Sequence, residues 1–225
     1  MKEELFIREL GLQAYLPVWA AMRQFTDKRQ ADTKDELWLV EHPAVFTLGQ
    51  AGQETHILNS GAIPVIRTDR GGQVTYHGPG QLVIYVLLDL RRRGIGVRQL
   101  VAILEQVVIS LCADYQIKAT YKCGAPGVYI EDKKVCSIGL RVKRGCTYHG
   151  LALNFAMDLG PFSQINPCGF SKLIMTQFTH YVKGVSKRQV ISQLIAYMVE
   201  KLGYTSAQVL ASENSELLAV GVHNV

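Results

Sequence analysis

None of the 225 residues lies in an apolar run approaching the roughly 18 positions that a membrane-spanning helix requires. The N-terminal MKEELFIREL is charged within its first turns and lacks the apolar core of a signal peptide, so the expected location is the cytoplasm, off the membrane. Cysteine is sparse and odd in number, and no C-x-x-C pair occurs among Cys112, Cys123, Cys136, Cys146 and Cys168. That argues against a disulfide framework and against a zinc site, and no metal is expected. A G-x-x-x-x-G-K-[ST] phosphate loop is missing, and the glycine-rich GGQVTYHGPG does not match a dinucleotide fingerprint, which leaves nucleotide use without support. Repeats, low-complexity tracts and compositional breaks are absent too, so residues 1–205 are expected to form one domain, with 206–225 as a tail that carries no diagnostic pattern.

What is present is an ordinary globular composition, 48% hydrophobic, with a formal charge of +5. The basic excess concentrates in Arg91-Arg92-Arg93 and Lys143-Arg144, with Lys133-Lys134 nearby in sequence. No aromatic residues interleave with these clusters as in a base-stacking platform, so nucleic acid is not the expected partner. An acidic protein partner and a plainly solvated face are both compatible with them.

Periodicity supplies the elements. Apolar residues three or four apart predict helices from Leu12 to about Lys28, from Val97 to Tyr115, and after Ser186, where Gln189 completes a capping box and Gly203 is the stop. Strands are predicted at Glu36–Glu41, Val45–Leu48, Ile63–Arg67, Gln81–Leu90, Val128–Ile130, Val135–Val142 and Cys146–Phe155, with an Asp132-Lys133 turn. Adjacent strands joined by short turns, with helices grouped between them, indicate an α+β fold with a mostly antiparallel or mixed sheet.

Two stretches carry potential chemistry. The turn from Arg70 to Gly80 packs Arg70, Gln73, Thr75, Tyr76 and His77 among glycines, directly before a core strand. It suits either a ligand held close to backbone or a tight hairpin. Cys168 lies in the loop Ile165-Asn166-Pro167-Cys168-Gly169, whereas Cys136 and Cys146 fall in strands and Cys112 in a helix. A loop thiol is reachable by substrate, or is simply exposed. An active cysteine needs a cationic or basic neighbour. His77, His149 and Lys134 are candidates, and sequence spacing pairs none of them with it; a lysine beside a turn is equally compatible with simple solvation.

Together RGGQVTYHGPGQ (Arg70 to Gln81), KVCSIGLRVKRGCTYHGLALN (Lys134 to Asn154) and INPCG (Ile165 to Gly169) closely resemble the octanoyltransferase, or lipoate–protein ligase B, family, and LWLVEHPAVFTLGQAG (Leu37 to Gly52) is similar to its N-terminal signature. The resemblance implies a biotin/lipoate protein ligase-like catalytic domain, related to class II synthetase cores. It implies octanoyl transfer from octanoyl-acyl carrier protein to a lysine of the lipoyl domains of 2-oxoacid dehydrogenases and of the glycine cleavage H protein, by a monomer without cofactor. Cys168 then matches the nucleophile that becomes an acyl-thioester, and Lys134 the lysine that favours the thiolate and handles protons. Arg70, Gly71, Gly72, Gln73, Val74, Thr75, Tyr76 and His77, with Ser137, Ile138, Gly139, Gly150, Leu151 and Ala152, match the acyl pocket. Backbone amides around Cys168 are the expected oxyanion donors. The competing readings are an ATP-dependent lipoate or biotin ligase on the same fold and a basic binding module without enzymatic activity.

Overall fold

The computed structural model describes residues 4–210. Their central element is a strand, β6 (Gln81–Leu87), in which every residue is buried. Alternation sends Val83, Tyr85 and Leu87 to one core cluster and Leu82, Ile84 and Val86 to another. β6 therefore sits in the middle of a mixed sheet covered on both faces. On its two sides lie β2 (Glu36–Glu41) and β10 (Cys146–Asn154), both antiparallel to it. Beyond β10 come β9 (Lys133–Lys143), β8 (Gly127–Ile130) and the short β7 (Ala119–Tyr121). Beyond β2 come β1 (Glu4–Leu12) and β11 (Ser206–Val209), paired in parallel.

Helix α1 (Tyr15–Lys28) connects the parallel strands β1 and β2 and covers the face bearing Val83 and Tyr85 with Val18, Ala21 and Met22. The short α2 (Leu90–Arg93) is capped by Asp89, whose side chain accepts from the N–H groups of Arg91 and Arg92. On the opposite face α3 (Val97–Asp114) and α4 (Lys187–Leu202) pack side by side. α4 buries Val190, Leu194, Met198 and Leu202, each four residues from the last, and its Ser186–Gln189 capping box and left-handed Gly203 are both formed. A second sheet, β3 (Val45–Leu48) between β4 (Val65–Arg67) and β5 (Val74–His77), stands with its own core cluster beside the first. No described helix is long and apolar enough to cross a membrane.

Several elements differ from the sequence expectation. The N-terminal stretch is a strand, burying Leu5, Ile7 and Leu10 with a register shift between Glu9 and Gly11, and α1 begins only at Tyr15. Within the expected glycine turn, Val74–His77 form strand β5. The β8–β9 turn is Glu131-Asp132, both left-handed, one residue earlier than expected. Ser206–Val209, placed in the tail, joins the main sheet, and positions 211–225 lie outside the described residues.

The basic clusters also serve the fold. Asp35, 2% exposed, accepts from Arg29 Nη2 at 2.5 Å, Arg92 Nη2 at 2.7 Å, the Asp89 N–H at 2.9 Å and the Tyr204 hydroxyl at 2.6 Å. Arg93 donates to Leu202 O and lies over the Tyr204 ring, while Lys143 and Arg144 both pair with Asp27. One buried carboxylate thus ties the end of α1, the start of α2 and the segment after α4 together. Removing it leaves a buried arginine without its counter-charge, which costs about 3–5 kcal/mol. Asp35→Ala is therefore expected to lower the Tm by roughly 10 °C. Calorimetry that found it within about 2 °C of the parent would show that the hub adds no net stability.

Candidate active site

Cys168 and Lys134 lie 34 residues apart in sequence, with strand β10 between them, and the fold joins them. β9 carries Lys134 at its second position, buried to 1% exposure rather than solvated beside a turn. Its backbone is clipped to the Cys168 segment, since the Lys134 N–H donates to Ile174 O at 2.8 Å and Lys134 O accepts from the Thr176 N–H at 2.9 Å. On the other side of the loop, Ile165 bridges Ile57 and the Asn166 N–H donates to His56 O at 2.8 Å. Pro167 then opens a single tight turn in which Cys168 adopts a left-handed φ of 56°. A non-glycine residue held there stores of order 1–3 kcal/mol, which the anchors on either side must supply.

The result is a Lys134 Nζ that donates to Cys168 Sγ at 3.2 Å. The ammonium also faces the Tyr129 ring, 5.3 Å from its centroid. Among the described residues no carboxylate lies within ion-pair distance of it, so its nearest polar partner is Cys168 Sγ. Burial pulls the Lys134 pKa down more than any one neighbour raises it, yet Cys168 and Tyr129 together prevail and the net shift is upward. Gly127 makes room for this: at its φ of 132° a Cβ would stand 2.5 Å from Lys134 Cε and 2.3 Å from Cys136 O. The other strand and helix thiols are unsuited to reaction, because burial pushes Cys112 up to about 12 and Cys136 upward as well.

A cavity of about 360 Å³ opens beside the pair. Arg70, Gly71, Gly72, Gln73, Val74, Thr75 and His77 line one wall; Ser137, Ile138, Gly139, Gly150, Leu151 and Ala152 line another, with Lys134 and Cys168 at the same space. Tyr76 is the exception among the expected pocket residues: its ring packs against Phe46 and Phe162 in the core of the small sheet. Sequence reasoning missed Tyr15 and Tyr85, and also Val97 and Val101, which bring α3 to the cavity. It also missed Asp69, whose carboxylate holds His149; its only sequence signal was a place directly before Arg70.

Neither candidate histidine hydrogen-bonds the thiol. His77 donates from Nδ1 to Gln81 Oε1 at 2.7 Å, and its Nε2 accepts from the Thr47 hydroxyl at 3.3 Å. That hydroxyl in turn accepts from Arg70 Nε. Burial lowers His77 to about 3 and His42 to about 4, so both rings are neutral at pH 7. Arg70 is buried as well; its guanidinium donates to Thr47 O, Gly71 O and Gln73 O, folding the glycine turn around itself. In the Cys168 turn the Gly169 and Phe170 N–H groups are committed to Asn166 O and Pro167 O. The Cys168 N–H makes no hydrogen bond among the described residues, which leaves it available to an oxyanion.

Comparison with known proteins places the chain in a family. The lipoyl protein ligase A/B catalytic domain family matches residues 14–199. The chain is 53% identical over 208 residues to an octanoyltransferase of Vibrio cholerae serotype O1, covering 92% of this chain and 96% of that one. It is 55% identical over 201 residues to an octanoyltransferase of Klebsiella pneumoniae, covering 89% and 94%. Among solved structures, a lipoate-protein ligase A bound with ATP superposes with a TM-score of 0.76 at 16% identity, over 98% of this chain and 94% of that one. A biotin protein ligase from Aquifex aeolicus gives 0.53 at 13% identity, over 89% and 69%. At such identities the two ligases speak for the fold alone.

The burial of Lys134 separates two substitutions. Lys134→Ala is expected to lower stability by roughly 2 kcal/mol, because it empties the space of a packed stem. Lys134→Met keeps the stem, removes a buried charge, and should melt at or above the parent. Both should slow iodoacetamide alkylation of Cys168 at neutral pH by about tenfold. Undiminished alkylation in Lys134→Met would detach the lysine from thiol reactivity.

The neutral histidines generate a pH dependence. Their folded pKa values of about 3 and 4 lie below the ordinary 6.5, so between those limits the unfolded chain binds protons that the native state does not. Stability is therefore complete above pH 6.5 and lost as pH falls toward 4, with a slope of up to about 1.4 kcal/mol per pH unit for each ring. Thermal melts of the parent should show that decline, and His77→Gln should show a shallower one. Parallel curves would mean that His77 titrates alike in both states.

Proposed function

The chain belongs to the octanoyltransferase family, with a lipoyl protein ligase A/B catalytic domain, and we propose that it moves an octanoyl group from acyl carrier protein to a lysine of lipoyl domains through a thioester on Cys168. The observation that carries this reading is the Lys134 Nζ–Cys168 Sγ contact of 3.2 Å at the wall of the cavity.

The thiolate of Cys168 attacks the carbonyl carbon of the carrier's thioester, forming a C–S bond and an oxyanion beside the Cys168 N–H. Collapse breaks the carrier's C–S bond. The departing thiolate takes a proton from the Lys134 ammonium, leaving a neutral amine. Acylation has also removed the one counter-charge that held Lys134 protonated, so burial now favours that neutral form. The acceptor lysine, arriving as a free amine, attacks the new thioester and gives its surplus proton to Lys134. The amide leaves, and the thiolate–ammonium pair is restored. Thioester exchange is nearly isoenergetic and amide formation runs downhill, so the cycle calls for no ATP.

A cavity of about 360 Å³ is at the small end of ligand pockets, as one extended acyl chain requires. Each methylene it buries contributes on the order of 0.8 kcal/mol. The acceptors are expected to be lipoyl domains of 2-oxoacid dehydrogenases and the glycine cleavage H protein; an archaeal relative of this fold from Thermoplasma acidophilum was solved in a study of a lipoate protein ligase and its E2 lipoyl domain.

Incubation with octanoyl-acyl carrier protein is expected to add one octanoyl group to the chain by intact mass, and a lipoyl domain should then discharge it. Cys168→Ala should do neither. Transfer by the alanine variant would sink the covalent route, and pyrophosphate release with free octanoate and ATP would favour a ligase instead.

A further inference from the structure

β10 contains one residue that breaks strand geometry. His149 has a φ of 60°, in the left-handed region, inside an otherwise regular ladder with β9. Successive strand residues normally face opposite sides. Here Tyr148 and His149 both reach Asp69, and their rings stack 5.1 Å apart at 29°. The unusual backbone therefore turns the imidazole onto the face where it lines the acyl cavity.

Asp69 fixes the ring there. It accepts from His149 Nε2 at 2.9 Å, from Trp19 Nε1 at 2.8 Å and from the Tyr148 hydroxyl. Although burial opposes ionisation, these hydrogen bonds hold the Asp69 carboxyl well below its usual range, so Nε2 is the protonated nitrogen. Nδ1 is then a bare lone pair with no partner among the described residues. It is not among the sealed polar atoms that lack one, which are Thr26 Oγ1 and Gln164 Oε1, and with the ring 2% exposed it opens to the cavity. None of the proposed acyl-transfer steps uses this group.

Its position gives it a use. Lys134 Cε lies against Gly127, which pairs with Ser137, so the reacting sulfur is near the Ser137 level of β9. His149 pairs with Leu140, three residues further along. At about 3.3 Å per residue that is ~10 Å. An extended octanoyl chain, with carbon–carbon bonds of about 1.5 Å, spans ~9 Å. We infer that His149, held by Asp69, is the end wall of the acyl cavity and sets the chain length at about eight carbons, an inference that rests on acyl transfer through Cys168. A longer chain has to strip the Nδ1 lone pair of water without replacing it, or displace a ring that three elements hold in place.

The test loads acyl carrier protein with six-, eight-, ten- and twelve-carbon chains and follows acyl-enzyme formation by intact mass. His149→Gly removes the wall and suits the left-handed backbone, so folding is not at risk. His149→Asn also tolerates that φ and retracts the wall partly. The ratio of ten-carbon to eight-carbon acylation rates is expected to rise about tenfold in His149→Gly, the effect of two methylenes newly accommodated. It should rise less in His149→Asn, and in Asp69→Asn, which frees the ring without removing it. An unchanged ratio in His149→Gly, with the parent acylated normally, overturns the wall and spares the transfer chemistry. Failure of the parent to be acylated at any length overturns both.

Discussion

A lysine ammonium buried with no carboxylate partner among the described residues is the constraint on which the site depends. Lys134 is among the largest fully buried side chains of the protein, and its charge is compensated by Cys168 and the face of Tyr129. Burying a charge is expensive unless it is paired and hydrogen-bonded. The surroundings therefore have to hold the partner at contact distance: paired backbone at Ile174 and Thr176, a tight turn after Pro167, and a glycine at 127 that leaves the stem room. The pairing that makes the lysine tolerable inside the protein also places a cation directly against the sulfur.

The glycine-rich segment works by a related device at a second buried cation. Arg70 has five donors and, in this fold, meets carbonyls and a hydroxyl in place of a carboxylate. Carbonyls from Gly71 and Gln73 can converge on it because Gly72 between them holds a φ of 89°, which L side chains rarely adopt. Hydrogen bonds to a charged group contribute about 1.5–3 kcal/mol each, which offsets desolvation while leaving the net charge in place. Through Thr47 the same guanidinium reaches His77 and then Gln81, so cavity wall and central strand share one polar chain. The segment is a wall built around a charge, and its reactive-looking histidine is part of the framework.

How much of this was legible follows from the range of each interaction. Helix α4 could be read in full, because Ser186, Gln189, the four-residue stripe and Gly203 are local signals that the fold left intact. β1 was not: its parallel partners lie far off in sequence, and Gly11 interrupts its alternation. β11 has four residues and no pattern of its own. The motif segments line the cavity, yet Tyr76 turns away from it, since β5 belongs to a second sheet whose core holds its aromatic ring. The arginine run was compatible with a partner surface or a solvated face, but Arg92 and Arg93 are tied to Asp35, Leu202 and Tyr204. Pairing of Lys134 with Cys168 is a tertiary fact, and no spacing rule contains it.

His149 shows where sequence patterns stop and backbone conformation begins. Nothing in Tyr148-His149-Gly150 distinguishes it from an ordinary strand, and alternation alone assigns the ring to the opposite face. A left-handed φ at a non-glycine residue costs free energy, so it persists only where neighbours over-determine it. Here Asp69, Tyr148 and Trp19 do so from different elements. Gly150 completes the arrangement, because a Cβ there would lie 2.0 Å from Ile84 O, and the bare backbone lets β10 stay against β6 despite the irregularity. The cavity thus has two polar ends on a common strand pair, each fixed by its own network. One holds the Lys134–Cys168 contact; the other, His149 on Asp69, bounds the space between them. Because the networks share no side chain, chain-length preference can change by substitution at the second end without disturbing the charge balance at the first.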